Sequence, residues 1–180
     1  METKMTLDLE ISPFASAQRS DLDRAISQLE TEQSQHRDAP LNATRASTSA
    51  LTLLPEVFGV RGPALNEYHL GQLGRSLAQR GDLDPVLVAP IGDRLIVVDG
   101  HHRVEAYRRE GRADIPLALF TGTVREAVLE ATSRNTRAVL QMSNGQRQDL
   151  AWQLVNAHFT LKEVTTSTGI SRAQVGIMRR

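Results

Sequence analysis

Short continuous apolar runs alternate with one helical stripe between residues 51 and 122. The runs 85–89 and 95–98 are joined by a hairpin-like turn, and each predicts a buried strand. Leucines at helical spacing predict a helix that Asn66 caps and that ends near Arg80. We therefore expect an α+β unit, a small mixed sheet with flanking helices, over 51–122.

The pattern changes to helix alone from residue 123 onward. Four signatures of the type Ser/Thr-x-x-Glu/Gln each open a helix-length segment. Such pairs can hydrogen-bond reciprocally to the free amide groups at a helix start. The four pairs are Thr123 and Glu126, Ser143 and Gln146, Thr160 and Glu163, and Ser171 and Gln174. They predict an all-helical C-terminal part over 123–180.

Residues 1–50 carry weaker signals than the rest of the chain. Alternating apolar positions predict a short strand over 7–11, and a helix is expected over 21–33 with Ser20 as its cap. Segment 34–49 is small and polar, which favours a linker or a disordered arm. We interpret 1–50 as a partly disordered N-terminal extension.

A helix-turn-helix is predicted over residues 160–180. Gly169 supplies the turn between a helix over 161–168 and a second helix that Ser171 caps. Recognition helices place polar residues at base edges and basic residues on phosphates, although plain packing uses the same geometry. The candidate DNA-binding residues are Ser171, Arg172, Gln174, Arg179 and Arg180.

Segment 95–109 predicts a strand, a tight turn at Asp99-Gly100 and a helix that begins with two histidines and Arg103. A positive charge in the first turn of a helix is unfavourable, because the helix end is itself positive. A bound anion would reverse that sign, since amide groups and cation would converge on it. The hypothesis is a phosphate-binding turn. The alternative is a surface connection with solvated charges.

The composition and charge of the chain narrow the range of candidate functions. The formal net charge is zero, but residues 1–50 carry −3, 51–120 carry −1 and 121–180 carry +4, which favours nucleic-acid contact near the C-terminus. The chain has no cysteine, which excludes thiol catalysis and disulfides. It has no apolar run of membrane-spanning length and no secretory signal, so we expect no membrane partner and a cytoplasmic location.

Two aromatic residues are expected to be buried. Trp152 is expected in the helical core and Tyr107 against the sheet.

Over residues 51–180 the chain resembles the ParB/sulfiredoxin superfamily, with a ParB-like N-terminal (nuclease-type) domain followed by a helix-turn-helix. Gly100, Arg103 and Ala106 match that family's G-x-x-R-x-x-A phosphate box. Its second box, E-N-x-x-R, is matched only by Asn135 and by Arg137, one place early. The resemblance implies a nucleoside triphosphate (CTP or ATP) with Mg²⁺, DNA and a homodimer. The implied phosphate-binding residues are Asp99, Gly100, His101, His102, Arg103, Asn135 and Arg137.

The leading interpretation is a ParB-like DNA-binding protein of partition or transcriptional control, with at most slow nucleoside triphosphatase activity. The runner-up is a kinase similar to ParB-fold free-serine kinases, with Glu56 as its catalytic base. A metal-dependent nuclease is the third alternative, although the adjacent His101 and His102 diverge, so we expect no metal site. Sulfiredoxin chemistry is excluded because His101 stands where that family has its cysteine. The nucleotide, the DNA sequence, the oligomeric state and any continuation beyond Arg180 stay open.

Overall fold

Five strands form one mixed sheet in the computed structural model, which describes residues 20–35, 43–59, 66–137 and 142–180. The strand order is β1-β5-β3-β4-β2. The pairs β1/β5 and β3/β4 are antiparallel, whereas β3/β5 and β2/β4 are parallel, which confirms the predicted mixed sheet. The strands are β1 (Arg45–Ser47), β2 (Leu51–Thr52), β3 (Val86–Ile91), β4 (Arg94–Asp99) and β5 (Asp114–Leu119).

Helices flank the sheet and make up the C-terminal part of the described chain. A short 3₁₀ helix, Thr48–Ala50, separates β1 from β2. The α-helices are α1 (Asp21–Gln35), α2 (Pro55–Phe58), α3 (Glu67–Arg80), α4 (His101–Arg109), α5 (Val124–Arg137), α6 (Asn144–Asn156), α7 (Leu161–Thr168) and α8 (Arg172–Met178).

The sheet buries apolar residues on both of its faces. Successive side chains of a strand point to opposite sides, so Val88 and Val97 join one core while Ile96 and Val98 join the other. The first core includes residues of α3 and α4, such as the fully buried Tyr107. This placement confirms the packing predicted for Tyr107. Burial on both faces explains why β3 and β4 are continuous apolar runs.

The second core joins the sheet to the C-terminal helices. Ile96 and Val98 of the sheet belong to the same buried cluster as Phe159, Val164 and Val175. The Thr136 hydroxyl of α5 also donates to the Ser167 carbonyl of α7 at 3.0 Å. The helical part therefore packs on the sheet through shared apolar contacts.

Hydroxyl and carboxyl side chains cap the C-terminal helices as predicted. Ser143 with Gln146 and Thr160 with Glu163 form reciprocal capping boxes. Thr123 and Glu126 are also reciprocal: the Thr123 amide donates to the Glu126 carboxylate at 2.8 Å and the Glu126 amide to the Thr123 hydroxyl at 3.3 Å. The fourth pair makes only the forward bond, from the Gln174 amide to the Ser171 hydroxyl. Each cap satisfies amide groups that a helix start leaves free.

Three expectations for the chain need correction or fall outside the described residues. The linker expected over 34–49 is wrong for Arg45–Ser47, which pairs with β5 in register with Pro116 to Asp114. Trp152 is 50% exposed on α6, so its expected place in the core is wrong. The strand predicted over 7–11 lies outside the described residues.

Candidate functional site

The predicted strand–turn–helix corner is present at the end of β4. The strand ends at Asp99, and Gly100 turns the chain with φ 109° and ψ 24°. α4 begins at His101, and the Val104 amide donates to the Gly100 carbonyl to close its first turn. The amide groups of that first turn have no acceptor within the helix, so they point out of its N-terminus. The corner therefore presents amide donors at the positive end of a helix.

Arg103 binds groups of the chain itself at this corner. Its guanidinium donates to the Asp99 carboxylate at 2.9 Å and to the carbonyls of Asp84 and Pro85 at 2.9 and 2.6 Å. A Cβ added to Gly100 would lie 3.0 Å from Nε and Nη2 of Arg103, so the guanidinium lies against the bare Cα of that glycine. The sequence hypothesis left Arg103 available to a bound anion, whereas here Asp99 neutralises it.

His102 holds the start of α4 against the start of α3. The backbone amide of Asn66 donates to Nε2 of His102 at 3.2 Å, so this nitrogen carries no proton in this arrangement. The His69 and His102 rings meet edge to face with centroids 5.2 Å apart. Asn66 itself caps α3 by accepting from the His69 amide at 2.9 Å. The two helix starts are thus joined by polar contacts of the histidine.

His101 is the corner residue with an unused polar atom. Its Nε2 is buried and has no hydrogen-bond partner among the described residues. Burial lowers the pKa of His101, while the negative charges of Asp99 and Glu56 act in the opposite direction. Glu56 lies in the first turn of α2 with its side chain exposed, close enough for its charge to act on that imidazole. An unpaired buried nitrogen carries a desolvation cost that a ligand would relieve.

The second predicted box lies near the C-terminal end of α5. The Asn135 side-chain amide donates to the Ala131 carbonyl at 2.8 Å. The Arg137 guanidinium donates to the Ser133 hydroxyl at 2.5 Å, and its side chain is exposed. Both bonds stay within α5. Their role in phosphate binding therefore remains a prediction from the resemblance.

Metal ligands do not converge within the part of the chain that the structure describes. No group of three or more histidine, aspartate or glutamate side chains there could hold an ion. Among the residues considered for a nuclease site, Glu105 accepts from Arg109 at 2.9 Å and Asp99 is paired with Arg103. These carboxylates already neutralise arginines.

Two short helices joined by a glycine lie where the sequence predicts a helix-turn-helix. Gly169 follows α7 with φ 71°, and Ser171 caps α8 by accepting from the Gln174 amide at 3.3 Å. Val164 and Val175 are fully buried and Ile170 is 6% exposed, so the two helices pack through the predicted apolar positions. Glycine adopts the left-handed backbone at this turn without steric strain, which allows the chain to pass from α7 to α8 within three residues.

The predicted DNA-binding residues divide into exposed ones and ones with structural partners. Arg172, Gln174 and Arg180 are exposed on or just after α8. Arg179 donates to the Phe159 carbonyl, which ties the end of α8 to the connection between α6 and α7. Ser171 uses its hydroxyl for the cap. The exposed basic and amide side chains therefore lie on or just after one short helix beside the turn.

Two residues on or near α8 were not among the DNA-binding candidates taken from the sequence. Arg147 of α6 places Nη1 3.8 Å from the Cβ position of Gly169, and its buried Nε has no hydrogen-bond partner among the described residues. Ile177 of α8 is 67% exposed. Placing Val175 on the buried side of α8 would have predicted the exposure of Ile177, because two residues of helix turn the chain by about 200°.

This combination defines a class: a mixed sheet with a glycine corner, packed on a helical part that ends in the two short helices α7 and α8. The family model of the ParB N-terminal domain matches residues 46–144, which is more than half of the chain. The chain belongs to the ParB N-terminal domain family.

Relatives of known sequence or structure agree with this family. A Streptomyces griseus protein described as a possible regulatory protein of the streptomycin biosynthesis operon is 31% identical over 108 residues, 58% of this chain. The match spans only 30% of that relative's length. C-terminally truncated ParB from Caulobacter crescentus, complexed to the centromeric parS site, shares the fold with a TM-score of 0.50 at 20% identity. The match covers 76% of this chain and 70% of that one.

A Pnob8-like ParB-N domain also has a TM-score of 0.50, at 12% identity, covering 74% of this chain and 66% of that one. These likenesses confirm the α+β architecture with its helical C-terminal part. Among the helices of the described ranges, none has the length and apolar character that crossing a bilayer requires.

Proposed function

We propose that this chain is a DNA-binding protein of partition or transcriptional control, in which α7 and α8 contact the DNA. The observation that carries the proposal is α8: it follows a glycine turn, packs through Val175 and exposes Arg172 and Gln174. The ten residues from Ser171 to Arg180 include three arginines and no acidic residue. A cationic exposed helix after a tight turn suits the phosphate and base-edge contacts of a recognition helix.

The shared fold supports this proposal. The Caulobacter crescentus ParB of the same fold is complexed to a DNA site, and the Streptomyces griseus relative is described as a possible regulatory protein. The excess of +4 over residues 121–180 places positive charge in the part of the chain that would meet DNA. Arg147 adds a further cation beside the turn at Gly169.

The second part of the proposal is a nucleoside triphosphate, CTP or ATP with Mg²⁺, at the start of α4. The bare Cα of Gly100, the first-turn amides and the orphaned Nε2 of His101 fit phosphate oxygens. Asp99 fits less well, because its carboxylate already pairs with Arg103. We therefore assign the phosphates first to the amides and His101. Arg103 would join only by exchanging the Asp99 carboxylate for phosphate.

DNA binding is tested by fluorescence anisotropy of labelled duplexes with the full chain. We expect the affinity to fall steeply between about 50 and about 200 mM salt, because phosphate contacts release counterions. Arg172→Ala and Arg180→Ala should weaken binding, and each should reduce the slope of log K against log salt by about 1. The matched control is Arg80→Ala, an exposed arginine at the end of α3. Equal losses in all three variants would contradict the assignment to α8.

Nucleotide binding is tested by thermal shift with the four ribonucleoside triphosphates, with and without Mg²⁺. A binder at 100 times its Kd stabilises the fold by about 2.7 kcal/mol, so one nucleotide should raise the melting temperature selectively. His101→Gln should reduce the shift, whereas the exposed His158→Gln should keep it. A panel in which no nucleotide stabilises the wild-type chain would refute the nucleotide part and leave the DNA part standing.

The two proposed sites are expected to be coupled. The sheet that carries the corner shares one buried cluster with α5–α8, so a change at the start of α4 has a packed route to the helical part. We expect the stabilising nucleotide to change the DNA affinity and the hydrogen-exchange protection of α6–α8. Titration that alters neither quantity would show that the sites act independently.

The kinase and nuclease alternatives receive less support from the described residues. Glu56 is exposed, and its negative charge acts on the imidazole of His101. No convergent metal-ligand group is present in the described ranges. Glu56→Gln separates the kinase reading from the DNA-binding one, since a general base is needed for turnover only.

A further inference from the structure

Ile177 is a large apolar side chain that the fold does not bury. It is 67% exposed on α8, whereas Val175 two positions earlier is fully buried and Met178 packs against the core. A β-branched residue on an exposed helix face also has a lower helix propensity than alanine or arginine. Packing among the described residues leaves most of this side chain exposed, so it is available for a contact outside the chain.

The neighbours of Ile177 on the helix surface indicate what that contact is. Residues three and four apart share a helix face, which places Ala173 and Gln174 beside Ile177, with Arg180 one turn further on. Ala173, Gln174 and Arg180 are exposed. A small apolar residue, an amide and a cation next to an isoleucine match the chemistry of base edges in the major groove, where thymine alone presents a methyl group. A protein partner is favoured less, because residues 171–180 hold three arginines and no acidic residue, and that positive charge suits a polyanion.

We propose that Ile177 reads the C5 methyl group of a thymine in the DNA site of this chain. This inference rests on the proposed function, because it requires α8 to lie in the major groove. It assigns sequence preference to an apolar contact at the C-terminal half of α8, beyond the polar residues near its start. The arginines then supply affinity that is independent of sequence.

The test begins by selecting bound duplexes from a random library with the full 180-residue chain. Each thymine of the selected site is then replaced in turn by deoxyuridine, which keeps base pairing and removes only the methyl group. Wild-type protein should lose about three- to fivefold affinity at one thymine, the value expected for one buried methyl. Ile177→Ala should bind the thymine and deoxyuridine duplexes equally, with an unchanged salt slope. Tyr68→Ala, which removes an exposed apolar side chain from α3, should keep the thymine preference.

The outcomes separate this inference from the proposed function. If no duplex is selected and the chain binds no DNA at low salt, the proposed function fails and the inference fails with it. If duplexes are bound but no thymine shows the methyl effect, or Ile177→Ala retains it, only the inference is overturned. An Ile177→Ala variant that keeps the thymine preference but loses self-association would instead assign the side chain to an interface between copies. Circular dichroism of the variant at the assay temperature checks that the chain as a whole is folded.

Discussion

At the scale of single residues, Arg103 shows how the chain stabilises a cation at a helix start. A positive charge in the first turn opposes the helix dipole, and the sequence therefore suggested a bound anion there, with a solvated surface connection as the alternative. Asp99, the last residue of β4, supplies that negative charge, and two carbonyl groups bind the rest of the guanidinium. The need for an anion could be predicted from sequence, whereas its source within the chain depended on how the strand meets the helix.

Glycine at position 100 is predicted to stabilise the fold for two separable reasons, its positive φ and its contact with Arg103. Gly100→Ala should destabilise the fold by about 2–3 kcal/mol, because left-handed backbone strains alanine and the new Cβ meets the guanidinium at 3.0 Å. Gly81→Ala is the matched control. It has φ 82° and open space around the Cβ, so it should cost only about 1 kcal/mol. Urea unfolding measures both changes in unfolding free energy. Equal losses of stability would mean that the Arg103 guanidinium moves away from the new Cβ without destabilising the fold.

His101 is predicted to make the fold less stable in mild acid. Burial lowers its pKa below the ordinary value of 6.5, so the unfolded chain takes up a proton first as the pH falls. Stability therefore declines as the pH falls from about 7 through that ordinary value, and the decline ends below the lowered folded-state pKa. His101→Gln should remove this part of the decline. Unfolding free energies of both proteins from about pH 7 to about pH 5 test it, and parallel curves would exclude a role for His101.

At the scale of elements, most of the boundaries could be predicted where local chemistry alone decides them. The predicted helix from Asn66 to near Arg80 and the corner at Asp99-Gly100 are confirmed, because caps, glycines and apolar spacing act over a few residues. β1 was not predicted. Its residues, Arg45 to Ser47, include only one apolar side chain, and they form a strand because the edge of β5 is there to pair with.

The position of Trp152 was missed for a related reason. Its size favours burial, but α6 already buries Leu150, Ala151 and Leu154 against the core, and the helix geometry turns position 152 outward.

The candidate site also divides into features that local sequence predicts and features that depend on distant residues. The corner residues could be placed together from their spacing, whereas their internal partners, such as Asn66 for His102, come from distant parts of the chain.

A single glycine in the connection between α6 and α7 is predicted to increase the stability of the fold. His158 has φ 60°, and the Phe159 amide donates to the Leu154 carbonyl, the arrangement of a Schellman motif that usually has glycine at this position. His158→Gly should stabilise the fold by about 0.5–1 kcal/mol because it removes left-handed strain. Thermal unfolding should show a rise of a few degrees. His158→Ala keeps the strain and is the control, so a similar rise in both variants would contradict the argument.

At the scale of the whole molecule, the sheet and the C-terminal helices share one apolar cluster. The ring of Phe159 packs under the guanidinium of Arg125 with 4.0 Å from its carbon to the ring centre, and Arg125 also donates to the Ala157 carbonyl. α5 is thus joined to the connection between α6 and α7 as well as to the sheet. The helices α7 and α8 share buried residues with the sheet, so we expect them to move only when that core rearranges.

Cooperative unfolding is the prediction at this scale. Trp152 is the single tryptophan of the chain and lies half-exposed on α6, so its fluorescence reports on the helical part. Urea transitions followed by this fluorescence and by far-ultraviolet circular dichroism should coincide, since the helices and the sheet share their buried residues. A fluorescence midpoint at clearly lower urea would show that α6–α8 unfold as a separate unit.

The short outer strands β1 and β2, three and two residues long, have consequences for solubility. β1 covers one edge of the six-residue β5, and unpaired strand edges are templates for intermolecular pairing. A fragment that begins at residue 51 lacks β1 and α1. It would expose the backbone edge of β5 and the apolar surface that Ile26 and Leu29 of α1 cover. Such a fragment should aggregate, whereas one that begins at Ser20 should stay dispersed. Residues 45–47, in a segment expected to be a linker, therefore help to protect the edge of β5 from pairing with another copy of the chain.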